Sequence, residues 1–175
     1  MAKSIIRLDH KFNKLVTVKY YNGSNYNDAI ENGRVLKLNG LITGEREVFQ
    51  AIAPAAAGDD LVITAGVELN YDESSLVKRN LNEYENAAGK AFRCIIPEFG
   101  KIYSVSLDAV SVINDADDVP AVNNLLIYDA SGSTKTKLLE VASNTDVSTY
   151  KFVGQVIGKE TVAGTTMIVI RIIKA

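Results

Sequence analysis

Tryptophan is absent from this chain, and cysteine and histidine occur once each, as Cys94 and His10. A lone cysteine excludes an intramolecular disulfide and a thiolate zinc cluster. A catalytic thiol needs a partner histidine, and His10 is the only one on offer. Cys94, set in the apolar run Phe92–Ile96, therefore reads as a small core residue. Asp9 beside His10 is the one acid–histidine neighbourhood, but adjacency in sequence is not the geometry of a catalytic triad, and no Gly-x-Ser-x-Gly elbow accompanies it. His10 reads as a solvated side chain. Long apolar runs are missing as well. No stretch approaches the length of a transmembrane helix, and the first ten residues lack the apolar segment of a signal peptide. The expectation is residence in a cytosol, or in an assembly formed there, with no membrane contact. A basic excess is also lacking: the net charge is −2 and the pI about 5.5, which argues against a general nucleic-acid binder.

What is present is a globular composition. Hydrophobic residues make up 47% and charged residues 23% of 175, enough to build a sizeable core in one domain without disulfides. Short β-branched and aromatic runs recur between turn signals. They include 15–21, 33–40 ending at the hairpin-turn signal Asn39-Gly40, 46–53, 61–64, 67–71, 91–96, 102–107, 125–128, 137–141, 150–153 and the last eleven residues. Gly154–Lys159 leads toward a loop at 160–164. One helical stripe is visible over 73–88, where Val77, Leu81, Tyr84 and Ala88 recur at helical spacing before Gly89. The pattern predicts an all-β fold, a small sandwich or barrel of short, mostly antiparallel strands, with at most one short helix. Residues 1–28 read as an N-terminal arm and first strand. Residues 29–175 read as one β-rich domain with a polar insertion near 72–88.

Three motif-like features fail on inspection. Asp115, Asp117 and Asp118 evoke a calcium loop, but its sixth position would be Pro120 and its twelfth Leu126, where glycine and a bidentate glutamate are needed. A solvated acidic turn is the simpler reading. Gly154–Lys159 evokes a phosphate loop. It carries three residues between its glycines instead of four, and Glu160 stands where a magnesium-binding hydroxyl belongs. Its glycines read as bend or packing positions. Tyr20, Tyr21 and Tyr26 near Lys19 evoke a stacking platform, but one basic neighbour does not make a groove for nucleic acid. No catalytic residue, metal ligand or cofactor is expected.

The run Thr165–Ala175 carries the strongest structural statement. Ile168, Ile170 and Ile172 share one strand face, and Met167, Val169 and Ile173 the other, interrupted by Arg171. A strand apolar on both faces must be covered, by its own core or by another chain.

Three stretches together resemble the small head decoration, or capsid-stabilising, proteins of tailed bacteriophages. Gly33–Gly40 followed by Asp60–Ala65 is similar to their β-rich part. Gly89–Arg93 followed by Phe99–Ser106 is similar to an intermediate segment of such head proteins. Phe152–Glu160 with Met167–Arg171 is similar to their closing hairpin, and the three span about half the chain. The resemblance implies a non-enzymatic virion protein, made in the host cytoplasm, on the capsid exterior. Its partner would be the major capsid protein, with self-association as a homo-oligomer a further option, and no direct contact with nucleic acid. The family has no catalytic residues to carry over, and the segment 72–88 has no counterpart in its smallest members.

On this reading residues 1–14 and 72–88 are the expected capsid contacts. Lys3, Arg7, Lys11 and Lys14 would face an acidic partner surface, and Val77, Leu81 and Tyr84 would supply apolar contact. The competing reading is a ligand- or carbohydrate-binding β-module of a head fibre or adhesin. Clustered exposed aromatics would favour it, and the lack of tryptophan counts against it. A hydrolase on a β scaffold is disfavoured by the single histidine.

Overall fold

The computed structural model describes residues 4–8, 13–66, 84–112, 119–128, 136–162 and 164–175. Among them the fold is all-β. In chain order the strands are β1 (Ile6–Leu8), β2 (Lys14–Tyr20), β3 (Val35–Leu41), β4 (Val48–Ile52), β5 (Leu61–Thr64), β6 (Phe92–Ile96), β7 (Ile102–Ser106), β8 (Val110–Ser111), β9 (Leu125–Tyr128), β10 (Leu138–Val141), β11 (Val153–Val162) and β12 (Thr165–Lys174). A 3-10 turn, Leu107–Ala109, lies between β7 and β8.

Strands β2 to β6 close into a five-stranded barrel in the order β2-β4-β3-β5-β6. The remaining seven form one sheet, β1-β7-β12-β11-β9-β10-β8. Among the described strands two pairings are parallel, β2 with β4 and β8 with β10, and the rest are antiparallel. In the sheet four strands separate β7 from β8, yet three residues of chain join them. From Ser106 to Val110 the chain can reach roughly 14 Å at most. The sheet must therefore curl until its edge strand β8 approaches β7, next to the opposite edge, the two held by covalent chain where a barrel would close by hydrogen bonds.

The period-2 alternation of the barrel strands divides their side chains between two cores. Val18, Leu36, Ala51, Val62 and Cys94 point into the barrel, with Phe49, Phe92 and Tyr20 packed against them. Val35, Leu61, Ile63 and Ile95 point outward, and the curled sheet covers them with Tyr103, Val105, Leu126, Tyr128, Leu138 and Phe152. Every residue of β5 is buried because that strand stands between the two cores. The outer face of the sheet carries a third cluster around Leu125, Ile127 and Val153.

Ile168, Ile170 and Ile172 are fully buried in the shared core, and β12 is covered on both edges by β7 and β11. On its other face Met167 is fully buried, Ile173 packs in the outer cluster, and Arg171 reaches Gln155 at 2.7 Å.

Several sequence expectations are corrected. Asn39-Gly40 is not the hairpin turn. β3 continues to Leu41 through a register shift after Leu38, with Gly40 at φ +107°, and the turn sits at 42–45, where Gly44 takes φ +87°. Residues 150–153 and 154–159 do not form separate elements. One strand runs from Val153 to Val162, with a second irregularity between Val156 and Gly158 that leaves Ile157 outward.

The N-terminal segment is not a free arm over its described part. Ser4, Ile5 and Ile6 are buried, β1 pairs with β7, and β2 belongs to the barrel. The strand expected at 67–71 lies outside the described residues, as does most of the helical stripe over 73–88. Its last five residues, Tyr84–Ala88, are not helical, and Asn86 forms an isolated bridge with Ile30.

Candidate functional site

The tight segment Ile30–Arg34 gathers distant parts of the chain. Its shape follows from Gly33, which takes φ +79° and approaches the Ile5 backbone so closely that a Cβ would lie 3.1 Å from its carbonyl oxygen. Glu31 takes the N-terminal segment. Its Oε2 accepts hydrogen bonds from the Ser4 hydroxyl at 2.8 Å, the Ser4 amide at 3.4 Å and Arg34 Nε at 3.1 Å, and Arg34 Nη2 completes a two-point ion pair. Thr64, at the end of β5, donates its hydroxyl to the Glu31 carbonyl at 2.7 Å and accepts from the Arg34 amide at 2.9 Å. Burial pushes the Glu31 carboxyl up, but the bonds from Ser4 and Arg34 outweigh it, and the group lies below the usual carboxylate range. Lys137 stands near this pair. Burial and the Arg34 charge hold its ammonium below the usual lysine range, against the opposing pull of Asp108 and Glu31.

Asn32, which is 1% exposed, takes the insertion. Its Oδ1 accepts from the Gly66 amide at 2.8 Å and from Asn86 Nδ2 at 3.0 Å, and its Nδ2 donates to the Gly66 carbonyl at 3.3 Å. Asn86 Nδ2 also donates to the Ile30 carbonyl at 3.0 Å. Gly66 follows the end of β5 and Asn86 precedes β6, so one asparagine ties together the two sides of the β5–β6 connection. Packing here is close enough that a Cβ on Gly66 would fall 1.8 Å from Asn86 Oδ1.

The residues expected to make contacts divide as follows. Lys3, Lys11, Val77 and Leu81 lie outside the described residues. Arg7 is exposed on β1 and reaches Glu160 at 3.4 Å; Lys14 is exposed on β2 and pairs with Glu98 at 2.8 Å. These two cations sit on different sheets and are each matched by a carboxylate of the same chain, so they do not form a continuous basic stripe. Tyr84 is half-buried at the end of the β5–β6 connection. Asp9, His10, Asp115, Asp117 and Asp118 are also outside the described residues. Among those that are described, no cluster of histidine, cysteine or carboxylates could hold a metal ion. Cys94 is fully buried in the barrel core, which raises its thiol pKa far above the ordinary value.

One group escaped the sequence reading, and a second was named there only as a dismissed stacking platform. Asn32 and Asn86 carry no signal in the sequence, because nothing local marks a side chain as a clamp between segments more than fifty positions apart. The second group surrounds Tyr21 and Tyr26, whose ring centroids lie 5.1 Å apart with the planes tilted by 59°, on the outside of the barrel. Its signal was present, since Tyr20–Asp28 contains only tyrosine, asparagine, glycine, serine and one aspartate. The chain matches no family model, no curated protein and no solved structure.

Proposed function

We propose that this chain is a non-enzymatic structural protein of a phage particle that binds the outer surface of the capsid and stabilises the shell. The observation that carries the reading is the convergence at Ile30–Arg34. The two segments named from sequence as contacts are rooted side by side, residues 4–8 through Glu31 and the β5–β6 connection through Asn32. A protein that grips a lattice needs reaching segments fixed to a rigid body, because ordering them only on binding subtracts from affinity. The partner on this reading is the major capsid protein. Preferential binding to the assembled lattice over free subunits shifts the shell toward the assembled state by mass action.

The test adds purified protein to cognate shells lacking it and measures binding together with resistance to heat and chelators. Saturable binding with stabilised shells is expected; failure to bind either mature or immature shells sinks the reading. Removing residues 2–14 is not the informative truncation, since Ile5 and Ile6 belong to the folded body. A better variant replaces residues 67–83 with a short Gly/Ser linker, which can bridge Gly66 to Tyr84 because Asn32 already holds the two ends together. It should fold and lose shell binding, and unchanged affinity would remove the connection from the contact surface.

A further inference from the structure

We propose that the groove on the outer face of the barrel, between the Tyr21–Asp28 loop and Ala53–Ala55, is a binding site for a neutral saccharide. It has a volume of about 340 Å³, within the usual range for small-ligand sites of roughly 300–1,000 Å³. Tyr21, Asn39 and Gln50 line it together with Ile52 and Pro54.

The loop is organised before any ligand arrives. Asn22 Oδ1 accepts from the amides of Ser24 and Asn25, both at 2.8 Å, and its Nδ2 donates to Asp28 at 2.8 Å and to Asn25 Oδ1 at 3.3 Å. Asn25 Oδ1 in turn accepts from the Asn27 amide at 2.9 Å. The Tyr21 amide bonds to the Ala51 carbonyl at 2.8 Å, which fixes the loop to β4. Across the groove, the Asp59 carboxylate accepts from the amides of Ala55 and Ala56, both at 2.9 Å, and holds that wall. Tyrosine, asparagine, serine and glycine on a preset loop are the materials of antibody paratopes, where a stiff ring gives area and small polar groups give adaptable hydrogen bonds.

The polar groups are those a sugar needs. Asn39 Nδ2 donates to Gln50 Oε1 at 2.6 Å, and Gln50 Nε2 donates to the Tyr26 hydroxyl at 2.9 Å. Among the described residues no further partner takes the Asn39 Oδ1, the second Gln50 Nε2 proton or the Tyr21 hydroxyl, all on side chains that line the groove. Neutral amides and hydroxyls that both donate and accept match sugar hydroxyls, which do the same. The Tyr21 ring and the Ile52–Pro54 wall offer apolar surface for the C–H face of a pyranose. Charge argues against an anionic ligand. Among the described residues no lysine or arginine lines the groove, and the nearby outward cations Lys19 and Lys37 are paired with Glu45 at 3.3 Å and Asp59 at 2.8 Å.

This inference stands apart from shell binding, and its test leaves that reading untouched. The full chain is titrated with neutral di- to hexasaccharides of glucose, galactose, mannose and N-acetylglucosamine, with heparin and polygalacturonate fragments as charged controls. Saturation-transfer NMR reports binding, and tyrosine emission gives a second readout that no tryptophan obscures. At least one neutral member should bind, and Tyr21→Ala and Asn39→Ala should each weaken it roughly ten-fold or more. Tyr21→Phe and Gln50→Ala supply the comparison if Tyr21→Ala is misfolded by circular dichroism. The proposal is overturned if no neutral member binds below about 10 mM, if folded variants bind as the parent does, or if the charged controls bind better.

Discussion

At Gly66 the limit is space, since a methyl group there meets the Asn86 side chain and lies near the Tyr84 hydroxyl. Gly66→Ala must push Asn86 out of its bonds to Asn32 and Ile30, and overpacking of this kind costs about 1–3 kcal/mol. A thermal melt should drop accordingly; a parent-like melt would mean the clamp is softer than described. Glu31 adds a pH term. Its folded pKa lies below the ordinary carboxylate value, so the unfolded chain takes up the proton first as pH falls. The stabilisation is complete above the ordinary carboxylate pKa and fades as pH drops toward the lower folded value. Glu31→Gln should therefore lose stability at neutral pH and narrow its gap to the parent in acid, as chemical denaturation at several pH values would reveal. Cys94 should resist alkylation in the native protein and react only on unfolding, because burial disfavours its thiolate.

Among the elements, β12 bears the most. Ile170→Ala removes a fully buried side chain between β7 and β11 and should cost about 2–5 kcal/mol in a denaturant melt. That strand was readable from sequence because both of its faces are apolar, and β5 for the same reason. Gly40 and Gly158 were harder. Glycine marks turns and bulges alike, and cross-strand register decides between them, which a local reading cannot see. Tyr84–Ala88 failed for a related reason: the Ile30–Asn86 pairing outweighs helical spacing. The contact residues fared unevenly. The placing of Ile168, Ile170 and Ile172 was legible from alternation, whereas the partners of Arg7 and Lys14, at Glu160 and Glu98, come from other strands and turns.

For the whole molecule the shared core decides how it comes apart. Val35, Leu61, Ile63 and Ile95 belong to the barrel strands but pack with the sheet. Neither part keeps its apolar surface covered without the other, so unfolding should be one cooperative transition. Leu36→Ala, inside the barrel, and Leu138→Ala, inside the sheet, should each lower a single midpoint seen alike by far-ultraviolet dichroism and by tyrosine signals. Two separated transitions would show that the parts unfold independently.

The order of strands along the chain bears on how the protein is made. The barrel uses consecutive strands and is complete once Ile96 has been synthesised, whereas the sheet cannot assemble around β7 and β11 until β12 joins them. About 80 residues separate those moments, roughly 4–16 s at translation speeds of about 5–20 residues per second. During that interval all five barrel strands exist without the sheet that covers Val35, Leu61, Ile63 and Ile95, so these side chains stay within reach of chaperones or neighbouring chains until β12 arrives.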